Sequence, residues 1–575
     1  MVDKPEERQQ GYRAPAHRLG SAPALLCLTL LAAWLVGTCG RGFYTPDEPR
    51  EADIAWRMSW QADKAVPVLA GEAFCEKPPL TYWLAALPIA LLGAHGWAAR
   101  LPNVLYAVIA ALSVGLLARR AVGPIAGLAA AGAMGTLLLA YQTEIWLATD
   151  APLLAFVSAA LLGAYRGFYA RDRGERLGGY LLMHLALALG FLSKSAAAWM
   201  VPVLTLLALI VWERRWRELL RWELYAGLVV EAALILTWVW FVYTGNEGPA
   251  HLRIFFWNNL IGRFTQVDAP AELQYAAAHR NIPGKYLIEL PLYLAPWTLL
   301  VGAAARRAWM RSRSAPTPRA VRFALACSIP SLLLLSAAAT ARNVYFAPVL
   351  PGIALLLAWW IDEARESPEA FDVRALKATA VLLQLAVLLF GAALAVAGAY
   401  AWGSMHDRVI YVLVSAAGLA AAAVLAARAW RLAGSRPLGA HWALFLAYGV
   451  LLVAPLSQLY ARADAWQDLG AIGTAIRADT AGHPIVLLAP DETTRAMIDL
   501  YTRTEVGWVP PPLNTTALQR LGQRLHSAPN SLVVAQDRGN GKGPDPPWLG
   551  AARLHVVKRY ALPFGRRYLL IAPGA

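Results

Sequence analysis

The sequence has 575 residues, of which 58% are hydrophobic and only 15% are charged, and its mean hydropathy is +0.44. Soluble domains carry about a quarter charged residues, so this composition excludes one large soluble core. Apolar runs of about 18 or more residues recur along the chain, and each is long enough to cross a bilayer. The net charge of +15 is spread in short basic clusters between these runs, which excludes a basic nucleic-acid-binding domain and favours a polytopic membrane protein.

The apolar runs predict thirteen membrane spans. Arg119-Arg120 follows the second span and should be cytoplasmic, because basic residues concentrate in cytoplasmic loops. The short, Pro-rich stretch Pro78–Leu92 then cannot also cross, and we expect it to lie along the outer surface as an interfacial helix. An odd number of spans places the N-terminus inside and the C-terminus outside. The expected spans are 22–39, 98–117, 122–140, 150–166, 179–193, 197–212, 225–243, 287–305, 321–339, 346–361, 377–400, 409–427 and 441–460.

The composition changes near residue 461, which predicts a transmembrane domain over 1–460 and a small extracytoplasmic α/β domain over 461–575. In the second domain, helical patterns alternate with short strand-like runs. It contains no catalytic motif, and we expect it to act as a lid or a partner surface. The expected helices are 468–476, 493–501 and 515–525, and the expected strands are 485–489, 531–535, 556–560 and 568–571.

The absence of three motifs limits the reactions that the chain is expected to catalyse. The chain has no Walker loop and no H-E-x-x-H zinc motif. No two Asp residues stand two apart, so the metal–nucleotide motif of nucleotide-sugar enzymes is missing as well. A sugar donor, if the chain uses one, should therefore arrive without a nucleotide.

The first outer loop holds the most informative residues. Asp47 and Glu48 are adjacent acids flanked by prolines at the rim of the membrane, and Arg50 follows them. A plainer interpretation is that Thr45 or Asp47 caps a helix, with acids favoured in its first turn. For Asp53 and Arg57, we favour that plainer interpretation of a solvated helix face. For Asp47 and Glu48, we favour a catalytic role.

Further candidates occur in the other loops that we expect outside. Lys77 is a compact cation that suits a phosphate, whereas Tyr82 is as readily explained as an interfacial aromatic and Asp150 as a helix N-cap. Charges near the bilayer are costly unless paired, so the set should be functional. Acids can position or deprotonate an acceptor, and bases can neutralise a departing phosphate. The catalytic candidates are Asp47, Glu48 and Asp150, and the substrate-binding candidates are Arg50, Glu76, Lys77, Tyr82, Lys194, Arg263, Arg342 and Tyr345.

The ordered set of these short motifs resembles the membrane glycosyltransferases of the GT-C fold, in the protein O-mannosyltransferase-like branch. Within that branch the chain is most similar to the bacterial transferases that add 4-amino-4-deoxy-L-arabinose to lipid A. The order and spacing agree over the whole chain. It departs from these relatives at Leu260, where they often have His, and in the runs around Lys194 and Arg342. The motifs are Pro46-Asp47-Glu48 with Arg50, Glu76-Lys77-Pro78 with Tyr82-Trp83, Asp150 before Pro152, Lys194, and Phe256-Trp257 followed by Arg263-Phe264.

The resemblance implies an undecaprenyl phosphate-linked aminoarabinose donor, a lipid A phosphate as acceptor, and resistance to polymyxin and cationic antimicrobial peptides. It also implies an inner-membrane enzyme whose site faces the periplasm and which touches membrane lipids but no nucleic acid. On this interpretation Asp47 and Glu48 face the sugar and acceptor, while the phosphates are served by Arg50, Lys77, Lys194 and Arg263. The sequence identifies no certain cofactor, and the outer-loop carboxylates leave room for a divalent cation.

Three alternatives remain from the sequence. The same fold could move another sugar, such as mannose, onto a protein hydroxyl, in which case Asp47 would be the general base. A secondary transporter would place ionisable residues near the bilayer midplane and show internal repeats, whereas here the charges collect at the rim. A membrane adaptor would not need the clustered charges.

Overall fold

The computed structural model describes residues 22–261, 282, 284–338, 342–400, 404–480, 482–503, 506–510, 515–528, 530–537, 549, 554–562 and 566–573. Most of this chain is helical. Its helices are α1 Ala22–Thr38, α2 Asp47–Trp60, α3 Leu80–Leu92, α4 Gly96–Ala121, α5 Pro124–Met134, α6 Leu138–Ile145, α7 Asp150–Phe168, α8 Arg173–Lys194, α9 Ala197–Glu213, α10 Trp222–Ala226, α11 Leu228–Thr244, α12 Gly248–Arg253, α13 Lys285–Tyr293, α14 Thr298–Ser314, α15 Arg319–Ala337, α16 Leu350–Glu366, α17 Ala370–Tyr400, α18 Met405–Leu432, α19 Pro437–Val453, α20 Pro455–Gln467, α21 Gly470–Thr480, α22 Glu492–Thr502 and α23 Thr515–Ser527. Short 3₁₀ helices cover Trp216–Leu220 and Asn343–Val349, and a short π-helix covers Ile254–Leu260.

The chain is a multi-pass membrane protein. Among the described residues, nine helical stretches are long and apolar enough to cross a bilayer, and two bent helix pairs bring the number to eleven if each pair crosses once. The 17-residue helices α1 and α9 are apolar but shorter. Together these elements occupy the thirteen predicted span positions. Helix α3 has only 13 residues, too few to cross the hydrocarbon core, in agreement with the predicted interfacial helix.

Two predicted spans are broken rather than straight. The span expected over 122–140 consists of α5 and α6, which meet at 64°, and the span expected over 287–305 consists of α13 and α14, which meet at 111°. The first break follows Gly135, where a Cβ atom would lie 2.8 Å from the Trp34 ring. The second break contains Pro296, which lacks the N–H that a continuous helix would need. Hydropathy averages over such breaks and cannot locate them.

The segment between α1 and α4, residues 39–95, is called the α1–α4 segment here. It contains α2, the short antiparallel pair of β1 (Val68–Leu69) and β2 (Glu72–Ala73), and α3. Apolar residues recur three to four apart along α2, and the buried Ile54 and Met58 pack with Tyr82 of α3. This packing fixes α2, whose first residue is Asp47, against the bundle.

The C-terminal part forms the predicted small α/β domain. Its strands are β3 Ile485–Leu488, β4 Val506–Val509, β5 Leu532–Gln536, β6 Leu554–Ala561 and β7 Arg567–Pro573. They lie in the order β4-β3-β5-β7-β6, with β3 parallel to β4 and β5, and β7 antiparallel to β5 and β6. Strand β4 was not predicted. Helix α20 runs across residue 460, so the domain boundary at that position stays a prediction.

Candidate active site

Asp47 is the first residue of α2, and its carboxylate does not cap the helix. The N-cap of α2 is Pro46, and no side chain caps the helix. The Thr45 hydroxyl instead donates to the Gln467 side-chain oxygen at 3.0 Å. The interpretation of Thr45 or Asp47 as a capping residue is therefore wrong.

The carboxylate of Asp47 is paired with a cation 295 residues away in the sequence. Arg342 Nη2 donates to Asp47 Oδ2 at 2.6 Å, and Arg50 Nη1 lies 3.8 Å from Oδ1. Burial alone would raise the pKa of Asp47, but Arg342, followed by Lys77 and Arg50, lowers it below its usual value. Asp47 is consequently an ionised and weakly basic carboxylate at neutral pH.

Glu48 lies in a fully buried cluster behind Asp47. Arg41 Nη1 donates to Oε2 at 2.8 Å, and Arg100 donates from Nε and Nη2 at 2.7 Å each. The backbone N–H groups of Tyr44 and Leu147 donate at 2.8 and 2.9 Å. Protein donors therefore surround this carboxylate, which identifies it as a structural anchor. The prediction that Glu48 also faces a substrate remains a prediction.

A second acid–base pair joins α2 to the start of α3. Lys77 Nζ donates to Glu51 Oε1 at 2.5 Å. The charged groups of Lys77 and Arg50 lie 5.9 and 5.8 Å from the centroid of the Phe74 ring. Tyr82 is 1% exposed, so its interpretation as an interfacial belt aromatic is wrong. Glu51 was not among the predicted site residues, although its position one helical turn after Asp47 places the two on one face.

Asp150 and Lys194 form the third pair. Lys194 Nζ donates to Asp150 Oδ1, and its ammonium lies 5.1 Å from the centroid of the Tyr345 ring. The N-cap of α7 is Thr149, which has no side-chain cap bond, so the interpretation of Asp150 as an N-cap is wrong. Arg342 connects this pair to Asp47, because the charge of Asp150 also acts on its guanidinium.

The structure thus brings most of the predicted residues into one charged site, with Asp47, Arg50 and Lys77 on one side and Asp150, Lys194 and Tyr345 on the other. Glu76 adjoins it, since its charge acts on Arg50 and its backbone oxygen accepts from the Asn259 side chain. Arg263 lies outside the described residues. Arg41 and Arg100 were missed, although both are basic residues at span ends where the inside bias disfavours them.

The arrangement suits anionic ligands. Among the described residues, Lys77, Lys194 and Arg342 each form an ion pair with one carboxylate, and none of the three is fully buried. A phosphate oxygen can replace a carboxylate oxygen as the partner of such cations. The site can therefore bind phosphate groups by exchanging ion pairs, without bringing an uncompensated charge into the protein.

A divalent cation fits these carboxylates poorly. Asp47, Glu51 and Asp150 are each already neutralised by a basic side chain, which repels a metal ion. Within the described ranges, no group of three or more His, Cys, Asp and Glu side chains is arranged to hold a metal.

Asp53 is a fully buried carboxyl on α2, next to Asp499 of α22. Asp53 Oδ2 accepts from the Ala70 N–H at 2.7 Å, and Arg57 Nε lies 3.9 Å from it while donating to Asp499 Oδ2 at 2.7 Å. Burial, followed by the charge of Asp499, raises the pKa of Asp53 well above its usual value. The solvated helix face expected for Asp53 is therefore wrong.

We expect Asp53→Asn to make thermal stability less dependent on pH. The pKa of Asp53 is higher in the folded protein than in the unfolded chain, where it lies near 4, so the protonated carboxyl stabilises the fold at low pH. This stabilisation is lost as pH rises above about 4, by at most about 1.4 kcal/mol per pH unit. Between pH 5 and 8, the melting temperature of Asp53→Asn should stay nearly constant, whereas that of the wild type should fall as pH rises. Parallel curves for the two proteins would contradict the shifted carboxyl.

The chain is similar to known membrane glycosyltransferases. Residues 76–241 match the family described as dolichyl-phosphate-mannose-protein mannosyltransferase. The undecaprenyl phosphate-α-4-amino-4-deoxy-L-arabinose arabinosyl transferase of Pseudomonas aeruginosa (strain LESB58) is 32% identical over 335 residues, 58% of each protein. The chain thus matches a little over half the length of that relative.

A longer match and a solved structure extend this similarity. The transferase of the same name from Erwinia tasmaniensis is 30% identical over 420 residues, which are 69% of this chain and 71% of that protein. The crystal structure of ArnT from Cupriavidus metallidurans bound to undecaprenyl phosphate has the same fold, with a TM-score of 0.71 and 19% identity, over 95% of this chain and 97% of that one. The chain therefore belongs to the family of undecaprenyl phosphate-α-4-amino-4-deoxy-L-arabinose arabinosyl transferases.

Proposed function

We propose that this protein transfers 4-amino-4-deoxy-L-arabinose from undecaprenyl phosphate to a phosphate of lipid A. The reaction takes place at the periplasmic face of the bacterial inner membrane, and its product confers resistance to polymyxin and other cationic antimicrobial peptides. The named activity of the relatives and the undecaprenyl phosphate bound to the Cupriavidus protein support this proposal.

The observation that carries the proposal is the ionised Asp47 among several cations at one site. Arg342 lies 2.6 Å from Asp47, Arg50 lies 3.8 Å away, and Lys77 is close enough for its charge to act on the same carboxylate. A sugar phosphate with a protonated amine needs both signs of charge. The cations bind the phosphate, and the carboxylate binds the amine of the sugar.

The transfer is a single displacement at the anomeric carbon of the sugar. An oxygen of the acceptor phosphate forms a bond to this carbon while the bond to the undecaprenyl phosphate oxygen breaks, and the electron pair leaves with the carrier. Lys77 and Lys194 stabilise the charge that develops on the leaving phosphate. Asp47 orients the sugar through its amine and takes no proton.

The low pKa of Asp47 favours a phosphate acceptor over a hydroxyl. A hydroxyl nucleophile requires a general base, and a base works best when its pKa lies near the working pH. The cations around Asp47 move its pKa in the opposite direction. A phosphate is already anionic and needs no base, so a weakly basic carboxylate suffices.

The second candidate is transfer of mannose to a protein hydroxyl by the same fold. The match of residues 76–241 to the mannosyltransferase family favours it. In that reaction Asp47 would have to act as the base once the sugar phosphate had drawn Arg342 away. The acceptor therefore distinguishes the two candidates.

We expect purified protein to label intact lipid A and to label dephosphorylated lipid A at least about 100-fold less. The expected difference reflects loss of the nucleophile itself rather than of one contact. Mass spectrometry of both lipids, after incubation with polyprenyl phosphate-linked aminoarabinose, provides the measurement. Equal labelling of the two lipids would refute the phosphate acceptor. Transfer from a mannose-linked donor to a peptide alone would establish the second candidate.

A further inference from the structure

The C-terminal helix α22 packs directly along α2, the helix that carries Asp47 and Arg50. Buried Ala496 contributes to the same apolar cluster as Ile54 and Met58, and buried Leu500 to that of Ala52. Residues 492, 496, 499 and 500 recur at helical spacing, so one face of α22 meets α2. The C-terminal domain is thus part of the wall that supports the charged site.

Polar contacts reinforce this packing along successive turns. At the start of α22, the Thr493 hydroxyl donates to the backbone oxygen of Pro46 at 2.9 Å, directly before Asp47. At its other end, Arg57 Nη2 lies 2.5 Å from Asp499 Oδ2. These contacts fix the height and rotation of α2 relative to the C-terminal domain.

Glu492 is the residue of α22 that reaches the charged site itself. Its Oε2 lies 2.9 Å from Arg50 Nε, whereas the Nη1 end of the same guanidinium lies 3.8 Å from Asp47. Among the charges acting on Arg50, that of Glu492 is the strongest, ahead of Glu51, Glu76 and Asp47. Glu492 therefore forms an ion pair with the Nε edge of the guanidinium, without a hydrogen bond from Nε, while the Nη1 end lies on the side of Asp47.

The side chain of Glu492 is 48% exposed, so its charge can position Arg50 without contributing much to the stability of the fold. Its partner Arg50 is 18% exposed, and an ion pair that solvent can reach from one side contributes little to the free energy of folding. Removing the charge of Glu492 should therefore leave the protein folded while it releases Arg50.

We propose that Glu492 is a positioning residue for Arg50, so that the C-terminal domain completes the transferase site. This inference rests on the proposed function, in which Arg50 serves the phosphate of the donor. With its Nε edge neutralised by Glu492, Arg50 presents its terminal amino groups to an incoming phosphate. The C-terminal domain then contributes to donor binding without touching the donor.

Glu492→Gln keeps the shape of the side chain and removes its charge. We expect it to raise the KM for the polyprenyl phosphate-linked donor about three- to five-fold, a modest effect because Glu492 itself is half exposed to solvent. The melting temperature should not change, and Glu492→Asp should recover part of the lost affinity. Asp479→Asn is the matched control, because Asp479 binds Lys558 and Tyr560 within the same domain. It should leave the KM unchanged.

A double-mutant cycle tests whether Glu492 acts through Arg50. In an Arg50→Gln background, Glu492→Gln should have no further effect on the KM, because the group it positions is gone. Multiplicative effects of the two substitutions, or an unchanged KM in the single variant, would overturn the proposal. An equal effect of Asp479→Asn would also overturn it.

Amide hydrogen exchange gives a readout that does not depend on activity. Glu492→Gln should speed exchange in the first turns of α2, residues 47–53, and leave the amides of α21 unchanged. If the wild type neither binds undecaprenyl phosphate nor transfers sugar, the proposed function fails. Unchanged exchange in α2 would instead refute the positioning role, whatever the activity of the protein.

Discussion

Asp47→Asn should lower the rate of sugar transfer at least about 100-fold while the protein remains folded and inserted. Electrostatic or proton-transfer contacts at a reacting centre contribute about 10²–10⁴-fold each. Asn keeps one oxygen that can accept from Arg342, but it lacks the charge that holds the protonated sugar amine. Single-turnover transfer to lipid A measures the effect on the bound donor.

The control for this experiment is Asp63→Asn in the same α1–α4 segment. Asp63 is exposed, and its carboxylate accepts the Ala65 N–H at 2.8 Å. This variant should transfer sugar at the wild-type rate. If Asp47→Asn also retained near-normal turnover, Asp47 would have no part in the reaction, and the cations around it would have to act alone.

The membrane architecture could be predicted from the sequence because its cause is local. Each span is a run of apolar residues bounded by charges, and arginines such as Arg119 and Arg120 predict the orientation of the runs. The same local signals gave the helices and most strands of the C-terminal domain. The breaks after Met134 and Tyr293 were missed, since they depend on packing and on single residues within otherwise apolar runs.

The site residues could be found individually, but their partners could not. Asp47 and Arg342 were both candidates, yet nothing in the sequence indicates that residues 295 positions apart share a hydrogen bond. Charge type and position are sequence properties, whereas ion pairing depends on how distant spans pack. For the same reason Glu492, in a domain without a catalytic motif, gave no signal until α22 was found against α2.

Glu48 shows why ion pairing could not be predicted from sequence position. It lies next to Asp47 in the sequence, which suggested the same role for both residues. The structure places the two carboxylates in opposite environments. Asp47 is partly exposed beside Arg342, and Glu48 is completely enclosed between Arg41 and Arg100. Adjacent residues of a helix point about 100° apart, so one can face a site while the next anchors the helix behind it.

We expect Glu48→Gln to destabilise the protein by about 3–5 kcal/mol. The substitution leaves the guanidinium groups of Arg41 and Arg100 buried without a counter-ion, and breaking a buried ion pair from one side costs this much. The amide group of Gln would also face donors on every side. The measurement is the melting temperature and the yield of detergent-solubilised protein, compared with Glu369→Gln as control. Glu369 is 44% exposed and its partner Arg306 is 39% exposed, so loss of this surface ion pair should cost at most about 1 kcal/mol.

The pH dependence of the same contact gives an independent check of the buried ion pair. Burial alone would raise the pKa of Glu48, but Arg100 and Arg41, with their hydrogen bonds and that of Leu147, lower it to about 2. Since the folded-state pKa is depressed, the contribution of this carboxylate, about 3 kcal/mol, is complete above pH 4.5 and is lost as pH falls toward 2. Glu48→Gln should therefore melt at a lower temperature than the wild type by a constant margin above pH 5, and this margin should narrow as pH falls from 4.5 toward 2. A margin that stayed the same from pH 8 down to pH 3 would show that the pKa of Glu48 is not depressed and that its charge does not anchor α2.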